Sequence, residues 1–224
     1  MRNFLKCSIT LIFISLYLPS SAADTVMPPA SAKLIRAVTF NGDRQVKNLL
    51  AEGLNPNTRD ENGNPILLVA LREDAFRVAT VLVADPHIDI NATNTYDETA
   101  LMLASLKGQF ALVKDMVLIR HAHVNRTDWT PLHYAATTGQ QDISRFLIAQ
   151  GAAVDAKSPN GTTPLMMAVR SGHIHLVKLL LDAGADVFLK NEANLVAADF
   201  AELYHQKEIM NGLRSRMRKL KELD

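Results

Sequence analysis

Two stretches decide the fold: TPLHYAATTGQQDISRFLIAQGAAVD, residues 130–155, and TPLMMAVRSGHIHLVKLLLDAGADVF, residues 163–188. They align at an offset of 33 residues, and self-similarity at a fixed period of this size is the signature of a repeat architecture. The same pattern extends upstream through segments that begin at Thr99 and Pro65, and downstream from Val196. The sequence therefore predicts a stack of similar units along most of the chain.

Two columns of equivalent positions define the register of these units. The first column is apolar and consists of Leu67, Leu101, Leu132, Leu165 and Ala198. The second column lies seven residues further on and consists of Asp74, Gly108, Gly139, Gly172 and His205. Both columns have spacings of 34, 31, 33 and 33 residues, so they support the same alignment independently. A partial first unit, KLIRAVTFNGDRQVKNLLAEGLNPN, fits this alignment with Gly42 in the second column.

Each unit is predicted to contain two short helices and a hairpin loop. In the stretch 163–188, one apolar face comprises Leu165, Met166, Ala168 and Val169, and a second face comprises Leu176, Val177, Leu179 and Leu180. Ser171 and Gly172 separate the two faces, and Gly184 follows the second, where a helix favours a left-handed C-cap. The segment SPNG, residues 158–161, is typical of a turn. Such units bury little alone and must stack.

At this level of detail the units resemble ankyrin repeats. The TPLHxA signature and 33-residue period of that family occur here as TPLHYA, Thr130–Ala135. The resemblance covers roughly residues 32–224 and implies an all-α ankyrin-repeat solenoid, with about four full repeats between N- and C-terminal capping units. The implied units, after a short linker at 24–31, are 32–57, 58–91, 92–125, 126–155, 156–189 and 190–224.

Residues 1–23 are expected to be a cleaved secretory signal peptide. Basic residues precede an apolar run at 9–18, and small residues follow, with cleavage expected after Ala22 or Ala23. The alternative is a membrane anchor, but an apolar run of about ten residues is short for a span of roughly 20. With this segment, the protein resembles exported ankyrin-repeat proteins of Gram-negative bacteria, and a periplasmic or secreted location is expected.

Charge and cysteine content exclude several classes of function. The chain has 24 Lys and Arg against 23 Asp and Glu, so no global positive field favours a nucleic-acid partner. The single cysteine, Cys7, lies in the expected signal peptide and lacks the small residues that precede a lipidated cysteine. After cleavage the chain would hold no disulfide and no thiolate nucleophile. We expect a monomer without cofactors.

The junction before Trp129 is shorter than its neighbours. From the last residue of one unit to the proline slot of the next, the neighbouring junctions run for nine residues, whereas Asn125 and Pro131 are six apart. The hairpin tip must therefore lack three residues. A shortened tip predicts a notch in the row of loops, with Trp129 near its floor.

The histidines do not predict catalysis or a metal site. The family resemblance assigns His133 a structural role, in which its imidazole ties neighbouring loops together by hydrogen bonds. The pairs His121 with His123 and His173 with His175 are the only metal-like spacings, and neither supplies the four ligands of structural zinc. No phosphate-binding glycine loop, HExxH motif or nucleophile elbow is present. We therefore predict no catalytic residue, no cofactor-binding residue and no metal ligand.

The predicted function is a non-catalytic adaptor that binds a protein partner through a concave face, with an inhibitor or immunity protein as a special case. In an ankyrin stack this face comprises the hairpin loops and the exposed sides of the first helices. Contact residues are predicted among the variable positions there: Tyr96, Lys107, Trp129, Tyr134, Thr138, Met167 and Arg170. For Trp129 and Tyr134, packing between units and partner binding both remain open.

The C-terminal segment GLRSRMRKLKELD offers an alternative function. Leu213, Met217 and Leu220 keep helical spacing, and five basic residues precede Glu222. The segment is interpreted as a capping helix with a solvated outer face. The alternative is a basic amphipathic helix that holds a peripheral envelope component on anionic lipid.

Overall fold

The computed structural model describes residues 29–222, and within that range the chain forms twelve α-helices arranged in six consecutive pairs. The helices are α1 (Pro29–Thr39), α2 (Asp43–Ala51), α3 (Ile66–Arg72), α4 (Phe76–Ala84), α5 (Ala100–Leu106), α6 (Phe110–Leu118), α7 (Pro131–Thr138), α8 (Gln141–Ala149), α9 (Pro164–Arg170), α10 (Ile174–Asp182), α11 (Ala197–Leu203) and α12 (Lys207–Lys221). The predicted all-α repeat solenoid is confirmed.

The helix pairs stack as two layers around one continuous core. Each first helix packs against the first helix of the next unit, in the order α1, α3, α5, α7, α9, α11, and the second helices from α2 to α10 stack in the same way. The leucine column is buried, since Leu67, Leu101, Leu132, Leu165 and Ala198 are each at most 2% exposed. The register predicted from the sequence therefore places its apolar column in the core.

Local backbone chemistry sets where the first helices begin. Thr99 and Thr163 are N-caps, and each hydroxyl accepts the N–H of the third residue beyond it at 3.3 Å. Pro131 and Pro164 follow a threonine cap, where the missing N–H of proline costs nothing.

A left-handed residue ends each first helix and turns the chain toward the second. The second column supplies it, with φ values of 54° at Asp74, 70° at Gly108, 73° at Gly139, 74° at Gly172 and 58° at His205. In the first unit the prediction of Gly42 was wrong, because Asn41 has φ 53° and Gly42 has φ −85°. Asn41 restores a spacing of 33 residues to Asp74, and asparagine tolerates this conformation better than most residues.

Within residues 29–222, four hairpin tips with one hydrogen-bond pattern project from the stack. The tips are residues 60–63, 94–97, 158–161 and 191–194. In each tip the N–H of the fourth residue donates to the carbonyl of the first, as Gly161 does to Ser158 at 2.8 Å. The fourth residue is always left-handed: Gly63, Asp97, Gly161 and Asn194. The turn predicted at SPNG is confirmed as one of these tips.

A ladder of side chains joins consecutive units at the base of the hairpins. The oxygens of Asn57, Asn91, Asn125 and Asp155 accept backbone N–H groups of the following unit, from Asp89, His123, Ala153 and Asp186 respectively. Burial raises the pKa of the Asp155 carboxyl, the hydrogen bond from Asp186 N–H opposes this shift, and the Asp186 charge adds to it. The ladder fixes the spacing of the loops in one row.

The N-terminal boundary of the repeat domain differs from the sequence prediction. Helix α1 begins at Pro29, so the last three residues of the predicted linker 24–31 are helical. The predicted signal peptide at 1–23 lies outside the described residues. Within the described range, no helix has the length and apolar character needed to cross a membrane.

Candidate binding surface

The shortened junction opens a cleft in the row of hairpins. Residues 126–129 have no tip like the other four, and a cleft of about 330 Å³ lies there between the tip that carries Tyr96 and the tip that carries Pro159. Trp129 and Tyr134 also line it. The notch that the missing three residues predict is thus present in the structure.

Trp129 is held at this cleft by His133. Its ring meets the imidazole edge to face, with centroids 5.3 Å apart and planes at 76°. The indole is partly buried against the core, and its remaining surface faces the cleft. Trp129 directly precedes the N-cap Thr130, so it occupies the position that Glu98 and Thr162 hold in the neighbouring units. Packing and exposure therefore coexist at this residue.

His133 ties the junction before α7 to the following hairpin, as the resemblance to ankyrin repeats implies. Thr130 N–H donates to Nδ1 at 3.2 Å, so Nδ1 is the acceptor and Nε2 carries the proton. That proton is donated to the Thr162 carbonyl of the next unit at 3.0 Å. Burial lowers the pKa of His133 to about 4, against backbone hydrogen bonds that raise it. His133 is fully buried and neutral at physiological pH, which suits a structural role.

Glu98 organises a polar network beneath the cleft. Its carboxylate accepts three hydrogen bonds, from Tyr134 Oη at 3.0 Å, Asn94 Nδ2 at 2.8 Å and Arg72 at 2.7 Å. The ion pair with Arg72 is partly shielded, since the side chains are 18% and 35% exposed for Glu98 and Arg72. Glu98 thereby links α3, a hairpin tip and α7, which belong to three consecutive units.

The network extends further along the row of loops and fixes Tyr134. Arg72 also donates to Asn64 Oδ1 at 3.1 Å, and Asn64 Nδ2 donates to Asp60 at 2.9 Å. Burial and the adjacent Glu98 carboxylate raise the pKa of Tyr134, so its hydroxyl stays protonated and donates. Glu98 was not among the predicted residues, because its partners Arg72 and Tyr134 lie in the two adjacent units and leave no periodic signal.

Exposed polar and aromatic groups form the rim of the cleft. Tyr96 is 76% exposed at the end of its tip. The Arg126 guanidinium lies 3.5 Å from Asp97 Oδ1, with Asp97 72% exposed, and Asp128 is exposed beside them. The rim therefore combines aromatic faces with carboxylates.

Three of the remaining predicted contact residues lie at the surface and contact neighbouring side chains or backbone. Lys107 pairs with Asp74 at 2.8 Å, exposed Thr138 donates to the Leu106 carbonyl at 2.9 Å, and the Arg170 guanidinium lies 5.3 Å from the Tyr204 ring centroid.

The prediction of Met167 as a contact residue was wrong. It is only 2% exposed, because α9 lies between α7 and α11 and both neighbours cover it. Leu103, at the equivalent position of α5, is 5% exposed. Tyr134 is partly accessible because its larger ring extends beyond this packed layer to the cleft.

Three basic residues of α12 contact the domain itself. Arg214 pairs with Glu202 at 2.6 Å, and Arg216 donates to the Leu181 carbonyl near the end of α10 at 3.2 Å. Lys221 Nζ lies 5.8 Å from the Phe188 ring centroid. Leu213 of α12 is buried. These contacts favour the interpretation of α12 as a capping helix.

His121 and His173, one from each histidine pair, have backbone roles. His121 has φ 55° and follows α6 where three other units place a left-handed glycine, Gly53, Gly151 and Gly184. His173 is the N-cap residue of α10, and its Nε2 lies 3.2 Å from the Thr137 carbonyl. Among residues 29–222, no group of three or more histidine, cysteine or acidic side chains is arranged to hold a metal ion.

Comparison with known proteins agrees with this architecture. The family model for ankyrin repeats in three copies matches residues 34–128 and 108–191. The ankyrin repeat protein YahD of Escherichia coli (strain K12) is 31% identical over 149 residues, which cover 62% of this chain and 73% of YahD. An ankyrin repeat-containing protein of Treponema pallidum (strain Nichols) is 26% identical over 175 residues, covering 75% of this chain and 47% of the relative.

A rat relative is much longer than the matched region. Ankyrin repeat and SAM domain-containing protein 6 of Rattus norvegicus is 32% identical over 131 residues, which cover 56% of this chain and 15% of the rat protein. Fold and matches together define a repeat solenoid of the class that generally mediates protein–protein interaction. The chain belongs to the ankyrin repeat family.

Proposed function

We propose that this protein is a non-catalytic adaptor that binds a protein partner through the face formed by its hairpin tips and the exposed sides of its first helices. The cleft around Trp129 is the observation that supports this proposal most strongly. It places three aromatic rings on one open surface, and tyrosine and tryptophan dominate the energetics of protein interfaces. Glu98 and His133 hold two of these rings in place before any partner arrives.

The proposed adaptor is exported to the periplasm or secreted and acts as a monomer. The basic, apolar and small-residue order of residues 1–23 supports export. A partner-binding stack of this kind suits an inhibitor or immunity protein, which blocks another protein by occupying its surface. The membrane-bound alternative has less support, since the basic side chains of α12 that pair with Glu202, Leu181 and Phe188 are engaged within the domain.

Site-specific photocrosslinking in the exporting cell tests the proposed surface. A photoreactive phenylalanine analogue replaces Tyr96, whose exposed ring makes the substitution neutral for folding. We expect a discrete covalent adduct with one protein. Replacing Ile119, which is 62% exposed after α6 in the layer of second helices, provides the matched control and should give no adduct.

The yields of the adducts at positions 96 and 119 show which face of the stack binds the partner. A strong adduct at Tyr96 and none at Ile119 supports binding by the face that carries the hairpins. Equal adducts, or an adduct at Ile119 alone, would place the partner elsewhere. Mass spectrometry of the adduct also identifies the N-terminal residue of the mature chain, which should be Ala23 or Asp24.

A further inference from the structure

We infer that the cleft at the shortened junction receives an arginine side chain from an exposed loop of the protein partner. The inference rests on the proposed function and assigns a chemistry to its central site. Three features of the cleft support it: the space left by the missing hairpin tip, the aromatic rings around that space, and the charges on its rim.

The space is sized for a protruding chain segment. Hairpin tips stand on both sides, at 94–97 and 158–161, and the intervening junction lacks three residues of a tip. The volume of about 330 Å³ is at the lower end of what small-ligand sites enclose. One long side chain with part of its own loop fits this volume, whereas a folded element does not.

The walls present aromatic rings to that space. Tyr96 extends from one tip, Trp129 forms part of the floor, and Pro159 closes the opposite side. Trp129 is the strongest partner for a cation among protein aromatics, and guanidinium groups both stack on such rings and interact with their negative faces. The His133 contact fixes the indole, so little side-chain entropy is lost on binding.

The rim carries an excess of negative charge. Among the residues that line the cleft, Asp97 and Asp128 are acidic and Arg126 is basic. Both carboxylates are exposed and can accept the forked donors of a guanidinium, which a lysine ammonium cannot match in geometry. The combination of aromatic faces and carboxylates therefore selects arginine over lysine and over an uncharged side chain.

Arg126 is the chain's own competitor for this site. Its guanidinium is 24% exposed and lies 3.5 Å from Asp97, a long and partly solvated ion pair. Removing the Arg126 charge leaves two unopposed carboxylates, so an incoming guanidinium should bind more tightly. Removing either carboxylate should have the opposite effect. A purely structural role of these residues does not predict such opposite signs.

Titration of the purified full chain with a defined peptide tests the inference without the partner. The probe is acetyl-Gly-Arg-Gly-amide, the control peptide replaces arginine with citrulline, and the readout is the fluorescence of Trp129, the only tryptophan in the chain. We expect saturable quenching with a Kd on the order of 1 mM for so small a ligand. The citrulline peptide, equal in shape but uncharged, should not saturate.

Four variants test whether the charges on the rim change the affinity for the arginine peptide in the expected directions. Asp97→Asn and Asp128→Asn should each weaken the arginine peptide about threefold, and Arg126→Gln should tighten it about threefold. Asparagine tolerates the left-handed conformation of Asp97, so the tip is preserved. Glu192→Gln, on the exposed tip of another hairpin, is the matched control and should change nothing.

The inference is overturned by equal binding of the citrulline peptide, by absence of saturation, or by weaker binding in Arg126→Gln. Its failure is distinguishable from failure of the proposed function. If Tyr96 crosslinks a partner while the arginine peptide does not bind, the surface is correct and the guanidinium assignment is wrong. If the peptide binds and Tyr96 gives no adduct, the site chemistry stands without the adaptor role.

Discussion

Acidification from pH 7.5 to pH 4 should destabilise this protein by about 3 kcal/mol through His133 alone. Burial lowers the pKa of His133 from 6.5 to about 4 in the folded chain. Above pH 6.5 the imidazole is neutral in both states, and the stabilisation is complete. Below that pH the unfolded chain binds a proton that the folded chain excludes, so stability is lost progressively until the folded pKa is reached.

Urea unfolding across this pH range, followed by Trp129 fluorescence, measures the effect. The comparison is with His133→Gln, because glutamine can still accept from Thr130 N–H as the third residue of a capping box but does not titrate. The other six histidines and all carboxylates are common to both proteins. The difference in unfolding free energy between the wild type and His133→Gln should therefore shrink by about 3 kcal/mol as the pH falls from 7.5 to 4. Parallel curves would show that His133 is not the buried neutral group described above.

Loss of the Glu98 carboxylate should have the second largest effect. Glu98→Ala removes the acceptor of Tyr134, Arg72 and Asn94 at once, and leaves the tyrosine hydroxyl partly buried without its acceptor. Breaking fully buried pairs costs more, but Arg72 is 35% exposed and regains water, so we expect a loss of about 2 kcal/mol. Equilibrium denaturation in urea measures it.

A matched glutamate and a double-mutant cycle give this prediction its control. Glu73→Ala removes an exposed carboxylate at the end of α3 and should change the free energy of unfolding by less than about 0.5 kcal/mol. Combining Glu98→Ala with Tyr134→Phe should show a coupling of roughly 1 kcal/mol, since both remove the same hydrogen bond. If Glu98→Ala costs no more than Glu73→Ala, the network does not organise the cleft.

The repeat itself could be predicted from the sequence because every unit carries the same pattern of apolar and turn residues. The apolar column at Leu67, Leu101 and Leu132, and the left-handed column at Gly108 and Gly139, follow from helix and turn chemistry that each unit repeats. The shortened junction was also predictable, since a missing segment is a matter of counting. The structural role of His133 was implied by the resemblance of TPLHYA to the ankyrin signature.

Contacts between particular side chains in neighbouring units could not be predicted in the same way. Met167 and Tyr134 occupy equivalent positions but differ in exposure, because burial depends on how far a side chain extends past the adjacent helices. The position in the repeat does not predict this distance. Glu98 gains its role through Arg72 in the preceding unit and Tyr134 in the following one. The one-residue error at Gly42 arose because asparagine as well as glycine can adopt a positive φ, so residue type alone did not distinguish Asn41 from Gly42.

Restoring the missing hairpin tip tests whether the partner binds at the cleft beside Trp129. Replacing Arg126–Trp129 with AKSPNGT, the sequence of residues 156–162, adds three residues and should rebuild the tip across the cleft while the helices keep their stability. Photocrosslinking from position 96 in the exporting cell compares this variant with the unmodified loop. We expect the partner adduct to disappear while the restored protein stays folded. An undiminished adduct would show that the cleft at the shortened junction is not the binding site.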